Sequence, residues 1–148
     1  SKSSTSGRLM PQHYLETRFQ IDAKKDFKAV VFSGSHPATV KMVESGRVDA
    51  GVLNLAIWQG LKKAGKVDTT KVKLLWETPE YVDYVWTARR GVSEEMQEAF
   101  AAAFLRLDHK NPVHREVLKL QRAQKFQRAR ASDFDELEKT ARSIGLLK

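Results

Sequence analysis

Phe27-Lys-Ala-Val-Val-Phe-Ser-Gly-Ser-His-Pro-Ala-Thr-Val-Lys-Met-Val-Glu-Ser-Gly-Arg-Val-Asp-Ala-Gly-Val-Leu-Asn54 is the stretch from which the fold class is read. Phe27 to Phe32 is a short β-branched and aromatic run ended by Ser33-Gly34-Ser35, which predicts a strand. His36 to Ser45 follows with Val40 and Val43 on one helical face and Gly46 placed as a C-cap. Val48 to Leu53 is a second apolar run that feeds a helix over Leu55 to Ala64, closed by Gly65. Strand, helix, strand, helix predicts βαβ units, an α/β fold with a mainly parallel sheet.

The pattern extends in both directions. Val72 to Trp76 reads as a third strand before the break at Thr78-Pro79, and Tyr84 to Ala88 as a fourth. Toward the N-terminus, Ser3, Ser4, Thr5 and Ser6 are four hydroxyl residues in a row, closed by Gly7, with Leu9, Met10, Tyr14 and Leu15 recurring at helical spacing behind them. A helix start is expected there, and its unpaired N–H groups and partial positive charge suit an anion. The competing reading of Ser1 to Gly7 is a linker remnant or frayed terminus. Pro11 requires that the regular helix begin near Leu9, or that its first turn be irregular.

From Ser93 onward the expectation is helical. Ser93-Glu94-Glu95-Met96 is an N-terminal signature, with Met96, Phe100, Ala103, Phe104 and Leu107 forming an apolar stripe. Asn111-Pro112 starts another helix and Ser132-Asp133 the last, with Leu137, Ala141 and Ile144 inward and Gly145 behind it. Strands are thus expected to alternate with helices over about residues 1–90, with the tail an all-helical annex.

Composition narrows the functional classes. The 148 residues suffice for a real core, and 41% hydrophobic content belongs to globular chains. The formal charge of +8 makes small anions, acidic surfaces and nucleic acids plausible partners. The absence of cysteine removes disulfides, thiolate metal sites and cysteine nucleophiles. No apolar run reaches bilayer length. The chain has no initiator Met and begins in a polar run, so it reads as a piece of a longer protein whose targeting segment, if any, lay upstream.

Ligands of open α/β sheets bind beyond the carboxyl ends of the strands. That rule collects Ser33 to His36, Asn54, and Thr78 to Tyr84, with the Ser-Thr-Ser run joining them if a strand preceded it. Singly each has a plain structural role: His36 as a capping histidine, Asn54 as a helix cap, Asp83 as a solvated loop residue, and Trp76, Trp86 and Tyr84 as core. No Gly-x-Ser-x-Gly elbow or defensible Ser/His/acid order exists, and His13, His36, His109 and His114 lack ligand spacing. No catalytic residue, metal or cofactor is therefore expected. Lys119, Arg122, Lys125, Arg128 and Arg130 lie within twelve residues that hold no acid, spaced by threes along one expected helical stripe. That stripe is either a solvated face or, as the alternative function, a nucleic-acid or protein-interaction module over residues 106–130.

Five segments together resemble a known family. Ser4-Thr5-Ser6-Gly7 with Pro11, Phe32-Ser33-Gly34-Ser35-His36, Gly46-Arg47-Val48-Asp49-Ala50-Gly51, Thr78-Pro79 through Asp83-Tyr84, and Ser132-Asp133-Phe134-Asp135 stand in the order found in phosphonate-type periplasmic substrate-binding proteins of ABC transporters. The resemblance implies a non-enzymatic, extracytoplasmic protein of type II-like α/β lobes that closes on phosphonate, phosphate, phosphite or another tetrahedral oxyanion, including sulfate- or selenate-like ones, and delivers it to a permease. It implies that Ser4, Thr5 and Ser6 grip the oxyanion with His36 in support, and that Asn54, Asp83 and Tyr84 face its substituent. Pro37 stands where members carry an acid, Glu80, Val82 and Val85 where they carry prolines, and Asn54 is neutral, so a plain oxyanion or uncharged substituent is favoured over an aminoalkyl cation. Members are also longer; the resemblance implies that 1–80 is most of the second, ligand-binding α/β lobe and 81–148 a return crossover with C-terminal helices that would pack on the first lobe. The stripe of Met96, Phe100 and Phe104 then needs cover, by a homodimer through this surface, with or without exchanged elements, or by a separately held N-terminal half. Nucleic acid is not an expected partner of this reading.

Overall fold

The computed structural model describes residues 2–147, so Ser1, which opens the hydroxyl-rich run, lies outside the described residues. Two compact units divide the chain: Ser1–Val82 together with Asp135–Lys148, and Asp83–Phe134.

The first unit starts with a wide helical turn, Thr5–Leu9, that runs directly into α1 (Met10–Phe19). The turn is π-helical: the Leu9 N–H reaches back five residues to the Ser4 carbonyl at 3.0 Å. Pro11 follows at the second position of α1, so no N–H at residue 11 reaches back to the Ser6 or Gly7 carbonyl, and the turn before it is the wide one. The irregular start that Pro11 requires is thus what forms. A short helix α2 (Ala23–Asp26), capped by Asp22, follows without having been expected. Next come α3 (His36–Glu44) and α4 (Leu55–Lys63), close to the helices read from the sequence. Gly46 at φ 69° and Gly65 at φ 65° end them in the left-handed region that glycine enters freely. The last helix, α7 (Asp135–Ser143), belongs to this unit. Its Ala141 packs with Leu9 and Met10, flanked by Tyr14, Tyr81, Leu137 and Ile144. A second cluster buries Val40, Trp58 and Val67 between α3, α4 and the loop behind them.

Among the described residues no strand forms, which corrects the parallel sheet expected over 27–32, 48–53, 72–76 and 84–88. A strand exists only when its N–H and C=O groups find a ladder partner, whatever its side chains favour. These segments pack instead through side chains on helices. Leu53 and Val72 border the Val40 cluster, and Trp76 meets Tyr14 and Phe19 edge-on at 5.5 and 5.2 Å. Val30, Val31, Leu74 and Leu75 stay exposed.

The second unit holds α5 (Glu94–Leu105), capped by Ser93, and α6 (Pro112–Gln121), capped by Asn111. The rings of Trp86, Phe100 and Phe104 cluster with centroids 4.8–5.9 Å apart, and Phe126 meets Phe104 edge-on at 4.8 Å. The expected basic stripe is not helical: α6 ends at Gln121, Arg122 turns left-handed at φ 53°, and 123–130 carry no helix. Arg128 instead grips Glu98 with two bonds of 3.0 and 2.6 Å. That pairing holds the Glu98 carboxyl below its ordinary pKa and raises the Arg128 guanidinium. No described helix is long and apolar enough to cross a membrane.

Candidate anion-binding site

Within the first unit, the residue types at three helix starts dictate their local geometry. Ser4 caps the wide first turn, its Oγ accepting the Gly7 N–H at 2.9 Å. Ser35 caps α3 through Ala38 N–H at 3.3 Å, and Asn54 caps α4 through Ile57 N–H at 3.3 Å. Each short polar side chain satisfies one orphan donor of its turn.

His36 joins these starts. It is the first residue of α3, and its Nδ1 accepts the backbone N–H of Asn54, the cap of α4, at 3.4 Å. With Nδ1 accepting, Nε2 is the ring nitrogen that carries a proton and can donate. The ring edge also lies against the first turn, with Cε1 3.8 Å from where a Cβ on Gly7 would stand. Three helix N-termini are therefore gathered about one imidazole, each bringing a partial positive charge; Thr5 and Ser6 in the first turn and Leu55 and Ala56 in α4 add unbonded backbone N–H groups, whereas in α3 Pro37 has none and Ala38 and Thr39 are bonded to Ser35. Among the described residues, neither the hydroxyls nor the backbone N–H groups of Thr5 and Ser6 make a hydrogen bond. Ser6 is buried, Thr5 half-buried.

The packing that holds this arrangement lies behind it. Thr39 on α3 bonds the Ser33 hydroxyl at 2.6 Å and the Ser35 carbonyl at 3.2 Å, fixing the turn that enters the helix. The segment leading to Asn54 presses on the same threonine at Gly51, where a Cβ would come within 2.5 Å of Thr39 Cγ2. At the far end of α3, Glu44 pairs with Lys41 and accepts the Asp68 N–H at 2.6 Å. The Lys41 ammonium first, then that N–H, holds the Glu44 carboxyl below its ordinary pKa. Arg8 donates to the Lys2 carbonyl at 2.7 Å and lies 6.0 Å from the Phe32 ring centre, tying the N-terminal segment down.

Of the seven residues singled out from the sequence, Ser4, Thr5, Ser6, His36 and Asn54 fall in this one unit, with Ser4 and the Asn54 side-chain oxygen committed to capping. Asp83 and Tyr84 open the other unit, with Tyr84 88% exposed. Sequence reading missed the Glu44–Asp68 link and the Thr39–Gly51 contact. Only the Asp68-Thr69-Thr70 turn chemistry hinted at the first, and nothing periodic marks the second. No group of His, Asp or Glu suited to a metal occurs among the described residues.

Comparison with known proteins gives this geometry a context. Residues 1–134 match the family model described as ABC transporter, phosphonate, periplasmic substrate-binding protein. A probable ABC transporter phosphite binding protein, PhnD1 of Prochlorococcus marinus (strain MIT 9301), is 37% identical over 153 aligned residues; the match covers all of this chain and 51% of the relative. The structure of PhnD1 from Prochlorococcus marinus (MIT 9301) in complex with methylphosphonate superposes with a TM-score of 0.88 at 35% identity, covering 99% of this chain and 56% of that one. The chain spans about half the length of these relatives. Its arrangement is that of the corresponding part of a periplasmic binding protein fold, and the chain belongs to the family of periplasmic substrate-binding proteins of phosphonate ABC transporters.

Proposed function

We propose that this chain carries the anion-gripping part of a solute-binding component of an ABC importer, and that its ligand is a phosphonate or related tetrahedral oxyanion such as phosphite or phosphate. The observation that carries this reading is the meeting of three helix N-termini around His36. The relatives' names, one a phosphite binding protein and one a complex with methylphosphonate, support it. Thr5 and Ser6 supply hydroxyl and backbone N–H donors, Ser4 donates its hydroxyl proton while its oxygen caps the helix, and His36 donates from Nε2. Asn54 selects the substituent. A neutral Asn54 fits a hydrogen, methyl or third oxygen on phosphorus better than an aminoalkyl cation. The protein works extracytoplasmically, hands its ligand to a permease and turns nothing over.

Because Ser6 is buried, bulky replacements there would disturb packing, so the test uses isosteres. T5V and S6A each remove one hydroxyl donor to a charged ligand, a loss of about 1.5–3 kcal/mol, or roughly 10- to 100-fold in affinity. Calorimetry with phosphite and methylphosphonate should show that weakening with the melting temperature little changed. Affinity unchanged in both variants contradicts the assignment.

A further inference from the structure

One position in the first turn has no room for a side chain. A Cβ on Gly7 would stand 2.9 Å from Ser4 Oγ, 3.2 Å from Ser4 Cβ and 3.8 Å from His36 Cε1. The backbone does not require glycine there, since Gly7 is not among the positive-φ glycines. In a helical turn, glycine is normally a destabilising choice relative to alanine. What Gly7 contributes is space: Ser4 folds its hydroxyl back over the Gly7 N–H at 2.9 Å, and the imidazole edge comes up on the same side.

We propose that Gly7 is a positioning residue of the oxyanion mouth, whose missing side chain lets the Ser4 hydroxyl and the His36 ring close on one turn. This rests on the reading of that mouth given above. A methyl at position 7 meets Ser4 first, because 2.9 Å to Oγ is closer than nonbonded atoms tolerate. The hydroxyl must swing off its cap, taking its proton away from the ligand and leaving the N–H of residue 7 unpaired. The His36 contact at 3.8 Å is an ordinary one, so alanine spares the ring; a valine displaces it and strains the Nδ1 bond to Asn54. On stability the lost cap and the better helix propensity of alanine oppose each other, so melting changes little while the ligand geometry is lost.

The test is a double-mutant cycle on this chain with S4G, G7A and S4G/G7A, reading phosphite affinity by calorimetry and melting temperature in the same samples. G7A is expected to weaken phosphite at least 10-fold while its melting temperature stays within a few degrees of the parent's. In the S4G background the same change is expected to cost less than 2-fold, because both obstructing atoms are gone. Equal affinity of the parent and G7A overturns the inference, as does an equal loss in both backgrounds. If the parent binds neither phosphite nor methylphosphonate, the reading of the mouth fails, and ligand-free amide spectra still decide the role of Gly7. In that arm, an unchanged shift and exchange protection of the residue 7 amide in G7A means that the methyl is accommodated, and the inference falls.

Discussion

Gly51 is where the loop leading to the site is pinned to α3, and G51A measures how firmly. Its φ is not positive, so alanine is conformationally permitted and should by itself stabilise by about 0.4–1 kcal/mol through the unfolded chain. Against that, the new Cβ lies 2.5 Å from Thr39 Cγ2 and 3.2 Å from Val43 Cγ2. Thr39 cannot rotate away cheaply, because its hydroxyl is held by Ser33 at 2.6 Å and the Ser35 carbonyl at 3.2 Å, bonds worth about 1 kcal/mol each. Overpacking of this kind costs about 1–3 kcal/mol, so the net loss should be near 1–2 kcal/mol, a fall of roughly 3–6 °C in melting temperature for a chain of this size. T39S removes the obstructing methyl and keeps the hydroxyl, so the loss from G51A should shrink to less than half in the T39S background. The Asn54 N–H bond to His36 lies three residues on, so the His36 ring resonances should shift in G51A and return in the double variant. Melting of G51A at or above the parent, or an undiminished loss beside T39S, would refute this reasoning.

Other expectations follow from burial, capping and charge. M10A empties the most enclosed large side chain of the α1–α7 cluster and should cost about 2–5 kcal/mol in urea unfolding. S93A deletes the Oγ that accepts the Met96 N–H and should cost about 0.5–2 kcal/mol, with fraying of α5 seen as faster amide exchange over Glu94 to Gln97. Glu44 has a folded pKa below its ordinary value, so the stability it contributes is fully present at neutral pH and is lost as pH falls through that folded value. Melting followed over roughly pH 7 to 3 should show a shallower acid decline in E44Q than in the parent, and parallel profiles would contradict the pairing.

The helices were legible because their signals are local. Ser35, Asn54, Ser93 and Asn111 each cap through their own side chain, and Gly46, Gly65 and Gly145 close helices at positive φ. Pro11 likewise announced an irregular first turn. The strands were not legible in the same sense, since Phe27 to Phe32 and Val72 to Trp76 carry β-type side chains but ladder pairing depends on partners that no single segment encodes. The basic run misled for a related reason: spacing by threes means a stripe only while the helix lasts, and Arg122 ends it. At the site, residue types pointed to Ser4 through Ser6, His36 and Asn54. The contact of His36 with the first turn and its bond to the Asn54 N–H depend on tertiary packing that no local pattern marks, the close approach of Gly51 to Thr39 included.

The most direct measurement is thermal melting of this chain against phosphite, methylphosphonate, phosphate, sulfate and a short DNA duplex. A ligand that binds only the folded state stabilises it by mass action, about 2.7 kcal/mol at a hundred times its dissociation constant. The expected result is a saturable rise with phosphite or methylphosphonate that survives charge reversal at Arg122 and Arg128 and is lost in T5V/S6A. A rise with DNA alone that fades as salt increases, or no rise with any oxyanion at saturating concentration, contradicts the proposal that the three helix starts around His36 hold a tetrahedral anion.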